Sequence, residues 1–82
     1  MKIAYHSKFL IQLSHFPEAI KKKFKKQIIH LTKDIRHPSL RAKKYNEALD
    51  IWQARVDKSV RFYFMIENDR YILLEITYHP KW

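Results

Sequence analysis

Three consecutive runs in the second half of the chain carry their apolar residues on even-numbered positions. In IWQARV these are Trp52, Ala54 and Val56; in VRFYFMI they are Val60, Phe62, Phe64 and Ile66; in RYILLEITY they are Ile72, Leu74, Ile76 and Tyr78. Alternation of period two marks a strand with one buried face. Residues paired directly across a sheet share a face, because a slip of one residue turns the whole apolar set to solvent. The shared parity predicts two hairpins with loops at 57–59 and 67–69, or loops differing from these by two residues. The chain has no glycine, so Asn68 and Asp69 are the residues expected to take unusual turn dihedrals. The predicted register sets Arg55 opposite Arg61, Arg61 opposite Glu75 and Gln53 opposite Tyr63, with Thr77 and His79 on the same polar face. Like charges directly opposite each other destabilise a sheet. A local conflict of this kind is expected where a face serves function.

The first half has a different period. KIAYH at 2–6 reads as a strand, and Ser7 is placed to cap a short helix through about Leu13 that buries Phe9, Leu10 and Leu13. Pro17 then suits the first position of a second helix, with Glu18 near its positive end. Ile20, Phe24, Ile28, Leu31 and Ile35 recur at helical spacing, while Lys21, Lys22, Lys25 and Lys26 lie largely off that stripe. Pro38 is expected to end the helix, and HPSLRAKKYNEAL at 37–49 reads as an ordered loop. The fold class is α+β in the order β-α-α-β-β-β, with a helical hairpin on one face of a small antiparallel sheet. The polar face stays open. Residues 1–82 are expected to form one domain.

Composition narrows the function classes. A hydrophobic content of 46% with five Phe, five Tyr and two Trp argues against disorder. The chain has no cysteine, which removes disulfides and thiolate metal sites and suits a reducing cytoplasm. The N-terminus lacks the apolar run of a signal peptide, and no segment approaches the roughly 18 apolar residues that span a bilayer. A cytoplasmic protein off the membrane is expected. The net charge is +9, and residues 1–45 hold 12 Lys/Arg against only Glu18 and Asp34. A basic half on a small domain points to a polyanion, nucleic acid first, with an anionic membrane or an acidic protein as rivals.

Arg55, Arg61, Glu75 and His79 form the sharpest constellation. Two guanidiniums can clamp a phosphate with Glu75 orienting Arg61, and His79 can exchange a proton near neutral pH. The plainer reading is a surface ladder in which Glu75 neutralises Arg61. Arg41, Lys43 and Lys44 are phosphate ligands or a solvated basic loop. The lysines at 21, 22, 25 and 26 are a footprint on structured RNA or a solvated helix face. Tyr63 and Trp82 can stack on bases or pack on their own domain. His6, His15, His30 and His37 have no metal-site spacing, so neither metal nor cofactor is expected. There is no glycine-rich phosphate loop, paired-carboxylate signature or serine nucleophile motif.

HPSLRAKKY, then DIWQARVDKSVRFYFMI, then ENDRYILLEITYHPKW together resemble the RelE/ParE superfamily of type II toxin–antitoxin toxins, over nearly the whole chain. The resemblance implies a microbial-RNase-like fold and, in its RelE-like branch, ribosome-dependent mRNA cleavage by attack of a 2′-hydroxyl on the adjacent phosphate, without metal. It implies that Arg61 stabilises the transition-state phosphate and that His79, in a YH resembling the YoeB subgroup, is the acid or base. By the same transfer Arg55, Lys43 and Lys44 would bind or neutralise phosphate; Arg41, Tyr63, Glu75, Lys81 and Trp82 are the further substrate-binding candidates of the residue reading. Lys21, Lys22, Lys25 and Lys26 would meet ribosomal RNA. The implied partners are the ribosome, mRNA and a cognate antitoxin, with the free toxin a monomer or weak dimer. Two features depart from the YoeB pattern: RAKKY has no loop carboxylate, Glu47 being offset, and Pro80 follows His79. The ParE-like branch, which inhibits DNA gyrase, and a non-catalytic RNA- or ribosome-binding domain are the alternatives.

Overall fold

A computed structural model describes residues 1–79. The elements are β1 (Lys2–Tyr5), α1 (Ser7–Ser14), α2 (Glu18–Lys33), β2 (Lys43–Asn46), β3 (Ile51–Arg55), β4 (Val60–Glu67) and β5 (Arg70–Tyr78). They build one five-stranded sheet in the order β1-β5-β4-β3-β2. The α+β class and the expected order of helices and strands hold, with two additions. The sheet is mixed, because β1 runs parallel to β5. A fifth strand, β2, occupies part of the segment expected to be loop. Its sequence KKYN has no apolar alternation because it is an edge strand, paired on one side only with β3.

Both helices begin and end through local hydrogen bonding. His6, rather than Ser7, is the N-cap of α1: its Nδ1 accepts the Lys8 N–H at 3.3 Å. Pro17 is the N-cap of α2, and its carbonyl accepts the N–H groups of Ile20 and Lys21. The helix stops at Lys33, well before Pro38. Asp34 turns extended, and its Oδ1 accepts the Arg36 N–H at 2.9 Å, so a side-chain turn ends the helix ahead of the proline. Ile35 still packs against the core, but from this turn.

Phe9 and Phe24 meet at 5.3 Å between ring centroids, and Phe24 meets Phe62 edge-on at 5.6 Å. Through these rings and Leu31 the helices bury one face of the sheet, against Ala54, Phe64, Leu73 and Ile76. The β3–β4 hairpin has the expected three-residue loop, and Arg55 pairs with Arg61. Asp57 rigidifies that loop, its Oδ1 accepting the N–H groups of Ser59 and Val60 at 2.8 and 2.9 Å.

The β4–β5 hairpin differs. Glu67 pairs with Arg70, so the turn is the two residues Asn68 and Asp69, with Asn68 left-handed at φ 56°. An even turn reverses the parity, and Tyr71 and Leu73 are buried in place of Ile72 and Leu74. A bulge at Leu74 restores it: the pairing passes from Phe64–Leu73 to Tyr63–Glu75. Ile76 then returns to the core. Arg61 consequently faces Thr77, and the expected Arg61–Glu75 pair does not form.

Candidate active site

On the sheet face away from the helices, Arg41, Lys43, Gln53, Arg55, Arg61 and His79 line a pocket of about 250 Å³. Strand alternation supplies four of them. Lys43 pairs with Gln53 on one side, and Arg55 pairs with Arg61 on the other, so all four share the open face. Arg41 arrives from the loop before β2 in a left-handed conformation, φ 45°. For a non-glycine residue this stores strain of about 1 kcal/mol or more, a cost that concentrates at functional sites. His79 is tied to the β3–β4 loop by its own N–H, which donates to the Ser59 carbonyl at 2.6 Å.

Arg61 is the centre of the arrangement. It is only 5% exposed. Its Nη1 donates to the carbonyls of Asp57, Lys58 and Val60 at 2.7, 3.0 and 3.3 Å, so the guanidinium is fixed by backbone. Among the described residues no carboxylate forms a salt bridge with it, and none lines the pocket. Burial, and next the charge of Arg55, push Arg61 below its ordinary pKa, with Tyr63 and Asp57 opposing and Arg41 adding to the fall. An arginine stays charged regardless. A buried, rigid cation that forms no salt bridge among the described residues, beside a second arginine, can hold an anion.

No protein-family model and no curated protein matches the chain in sequence. Solved structures do match in backbone. A YoeB/ParE toxin from Agrobacterium tumefaciens superposes with a TM-score of 0.81 at 12% identity, covering 98% of this chain and 100% of that one. The YoeB dimer from Staphylococcus aureus gives 0.81 at 12% identity over 98% of each chain. The toxin–antitoxin complex RelB–RelE from Methanococcus jannaschii gives 0.76 at 18% identity, covering 92% and 88%. The chain has the fold of the YoeB and RelE toxins.

Within this toxin fold the other sequence candidates are dispersed. Lys44 follows Lys43 on a strand and so points to the opposite face. There it pairs with Asp50 and, at 3.7 Å, with Glu47, and lies over the Trp52 ring. The hydrogen bond to Asp50, set against a smaller effect of burial, raises its pKa. Glu75 pairs instead with Lys8 at 3.6 Å. It shares a neighbouring hollow with Tyr63 and Tyr45, outside the arginine pocket. Tyr63 touches the pocket's rim indirectly, its hydroxyl accepting from Gln53 Nε2 at 3.1 Å. Lys81 and Trp82 lie outside the described residues. On α2, Lys21 pairs with Glu18 at 3.5 Å, whereas Lys22, Lys25 and Lys26 are exposed.

Sequence reasoning missed Gln27 and gave Gln53 no role. Gln27 is buried on α2, and its amide is fully used. Nε2 donates to the carbonyls of Arg55 and Ser39 at 2.8 and 3.2 Å, and Oε1 accepts from Ser39 Oγ at 3.1 Å. It therefore joins the helix to the strand and loop that carry Arg55 and Arg41. A polar residue between Phe24 and Leu31 on the buried stripe was the available signal. Gln27→Leu is expected to cost about 1–3 kcal/mol, because two carbonyls lose their donor. Urea denaturation reads the loss, and faster amide exchange at Ser39–Arg41 locates it.

Proposed function

We propose that the protein is the toxin of a type II toxin–antitoxin pair and cleaves mRNA in the ribosome. The observation that supports this is Arg61: a backbone-anchored, buried guanidinium in no salt bridge among the described residues, in a fold shared with the YoeB and RelE toxins. The scissile phosphate would sit between Arg61 and Arg55. The 2′-oxygen attacks phosphorus, the bond to the 5′-oxygen breaks, and a 2′,3′-cyclic phosphate and a 5′-hydroxyl result. Charge building on the non-bridging oxygens meets donors already in place, so little reorganisation is needed. Lys43 adds a mobile cation at the pocket edge. His79 is the lining residue whose chemistry suits protonation of the departing 5′-oxygen.

Lys22, Lys25 and Lys26 give α2 the charge for non-specific phosphate contacts with ribosomal RNA. The same positive face suits an acidic antitoxin segment. Structures with this fold include a YoeB–YefM complex from Staphylococcus aureus and the RelB–RelE complex.

His79→Ala is expected to slow cleavage by about a hundredfold, the lower end of general acid catalysis, because exposed His79 can be replaced in part by water. The check is primer extension on programmed ribosomes, with the new 3′ end assayed for a cyclic phosphate. Growth arrest on expression should weaken in parallel. Arrest that persists in the variant, accompanied by gyrase-dependent DNA breaks, would assign the protein to the ParE-like alternative.

A further inference from the structure

A second basic hollow adjoins the arginine pocket and has no part in the chemistry above. It is a groove of about 420 Å³ between α2, the loop before β2 and the β3–β4 loop. Arg41 and Arg55 line both the groove and the pocket, so one continues into the other. On its floor the rings of His30 and His37 stack at 3.7 Å between centroids, with planes 17° apart. His37 is held by Ser39, whose N–H donates to Nδ1 at 3.2 Å and whose Oγ lies 2.8 Å away. Among the described residues, neither the His30 ring nor Nε2 of His37 hydrogen-bonds to another protein group.

The groove's charge is lopsided. Lys23 and Lys26 face it from α2, Arg41 from the loop, and Arg55 and Lys58 from the β3–β4 hairpin. Among the described residues the single acid lining it is Asp57, which is already paired with Lys23 at 3.2 Å. The His30 imidazole in such surroundings resists protonation. Burial first, then His37, Lys26 and Lys33, push His30 below its ordinary value. An anion between these cations reverses the balance, because it stabilises the charged ring. Binding therefore takes up a proton and strengthens as pH falls.

We propose that this groove holds the backbone phosphates of the same single RNA strand whose scissile phosphate occupies the arginine pocket, with the His30–His37 stack as an acid-strengthened contact. This rests on the nuclease reading and extends it along the strand. A continuous line from Arg61 through the shared Arg41 and Arg55 to the histidines matches a strand running past its cleavage point.

The test uses 2′-O-methyl RNA, which lacks the attacking hydroxyl, as a labelled trimer and hexamer in fluorescence anisotropy at pH 6 and pH 8. The hexamer should bind the native protein more tightly than the trimer. Its advantage should grow on acidification, by up to about tenfold for each pKa unit that the bound phosphate restores. In His30→Gln/His37→Asn, where Asn can still accept from the Ser39 N–H, that advantage should shrink and its pH dependence vanish while trimer binding persists. Hexamer binding unchanged in the double variant overturns the proposal. A duplex RNA that competes better than the single strand overturns it as well, and assigns the groove to folded RNA. Arg61→Met separates the two readings: it should weaken the trimer, and indifference there removes the pocket assignment itself.

Discussion

Arg61→Met slows RNA cleavage by about a thousandfold, the upper range for losing one preorganised donor to an oxyanion, and leaves the melting temperature unchanged or raised. The second half of that expectation distinguishes a functional residue from a structural one. Arg61 is buried opposite Arg55 and forms no salt bridge among the described residues. Replacing such a charge with an apolar side chain of similar length removes desolvation and repulsion together. The carbonyls of Asp57 and Lys58 lie in a surface loop, where water can take over from Nη1. Single-turnover cleavage and thermal melting on one preparation decide the matter. A fall in melting temperature beyond about 5 °C, roughly 1 kcal/mol for a domain of this size, would show that Arg61 holds the fold together instead.

Phe24→Ala is expected to cost about 3–5 kcal/mol, the usual range for truncating a buried aromatic. Phe24 is 2% exposed and touches Phe9 on one side and Phe62 on the other. Its removal leaves a void where α1, α2 and the sheet meet. Domains of this size are stable by about 5–10 kcal/mol, so roughly a third of the total or more goes. Urea denaturation should show a midpoint shifted strongly downward. Ile29→Ala, on the exposed side of the same helix, should move it by less than about 0.5–1 kcal/mol. Equal effects from the two substitutions would contradict the packing described here.

Much of this was legible in the sequence because parity is a strict constraint. The Arg55–Arg61 and Gln53–Tyr63 pairs follow from even-numbered apolar residues and a three-residue loop. The Leu74 bulge was not legible. Without glycine, nothing in RYILLEITY distinguishes a bulged residue from a paired one, and the parity of Ile72 and Leu74 points the wrong way. Glu75 was thereby assigned to Arg61 when it belongs with Lys8. The early end of α2 was hidden for a related reason: Asp34 stops the helix by a side-chain bond that competes locally with the periodic signal of Ile35. Lys43 and Lys44 look equivalent in RAKKY. Only the knowledge that KKYN is a strand separates them to opposite faces.

The short turn at Asn68–Asp69 and the extra residue at Leu74 are two halves of one solution. A hairpin longer by one residue at its tip needs no bulge to bring Ile76 back to the core. The tip can therefore gain a residue and the strand lose one while the row Arg55, Arg61, Thr77 stays in place. Across distant sequences with this fold, such an exchange reads as paired gaps about six residues apart, flanking Tyr71 and Leu73, with His79 at a fixed distance beyond the second. An alignment that opens the gap at the tip but forbids one inside the strand would set the histidine one position out of register and miss it.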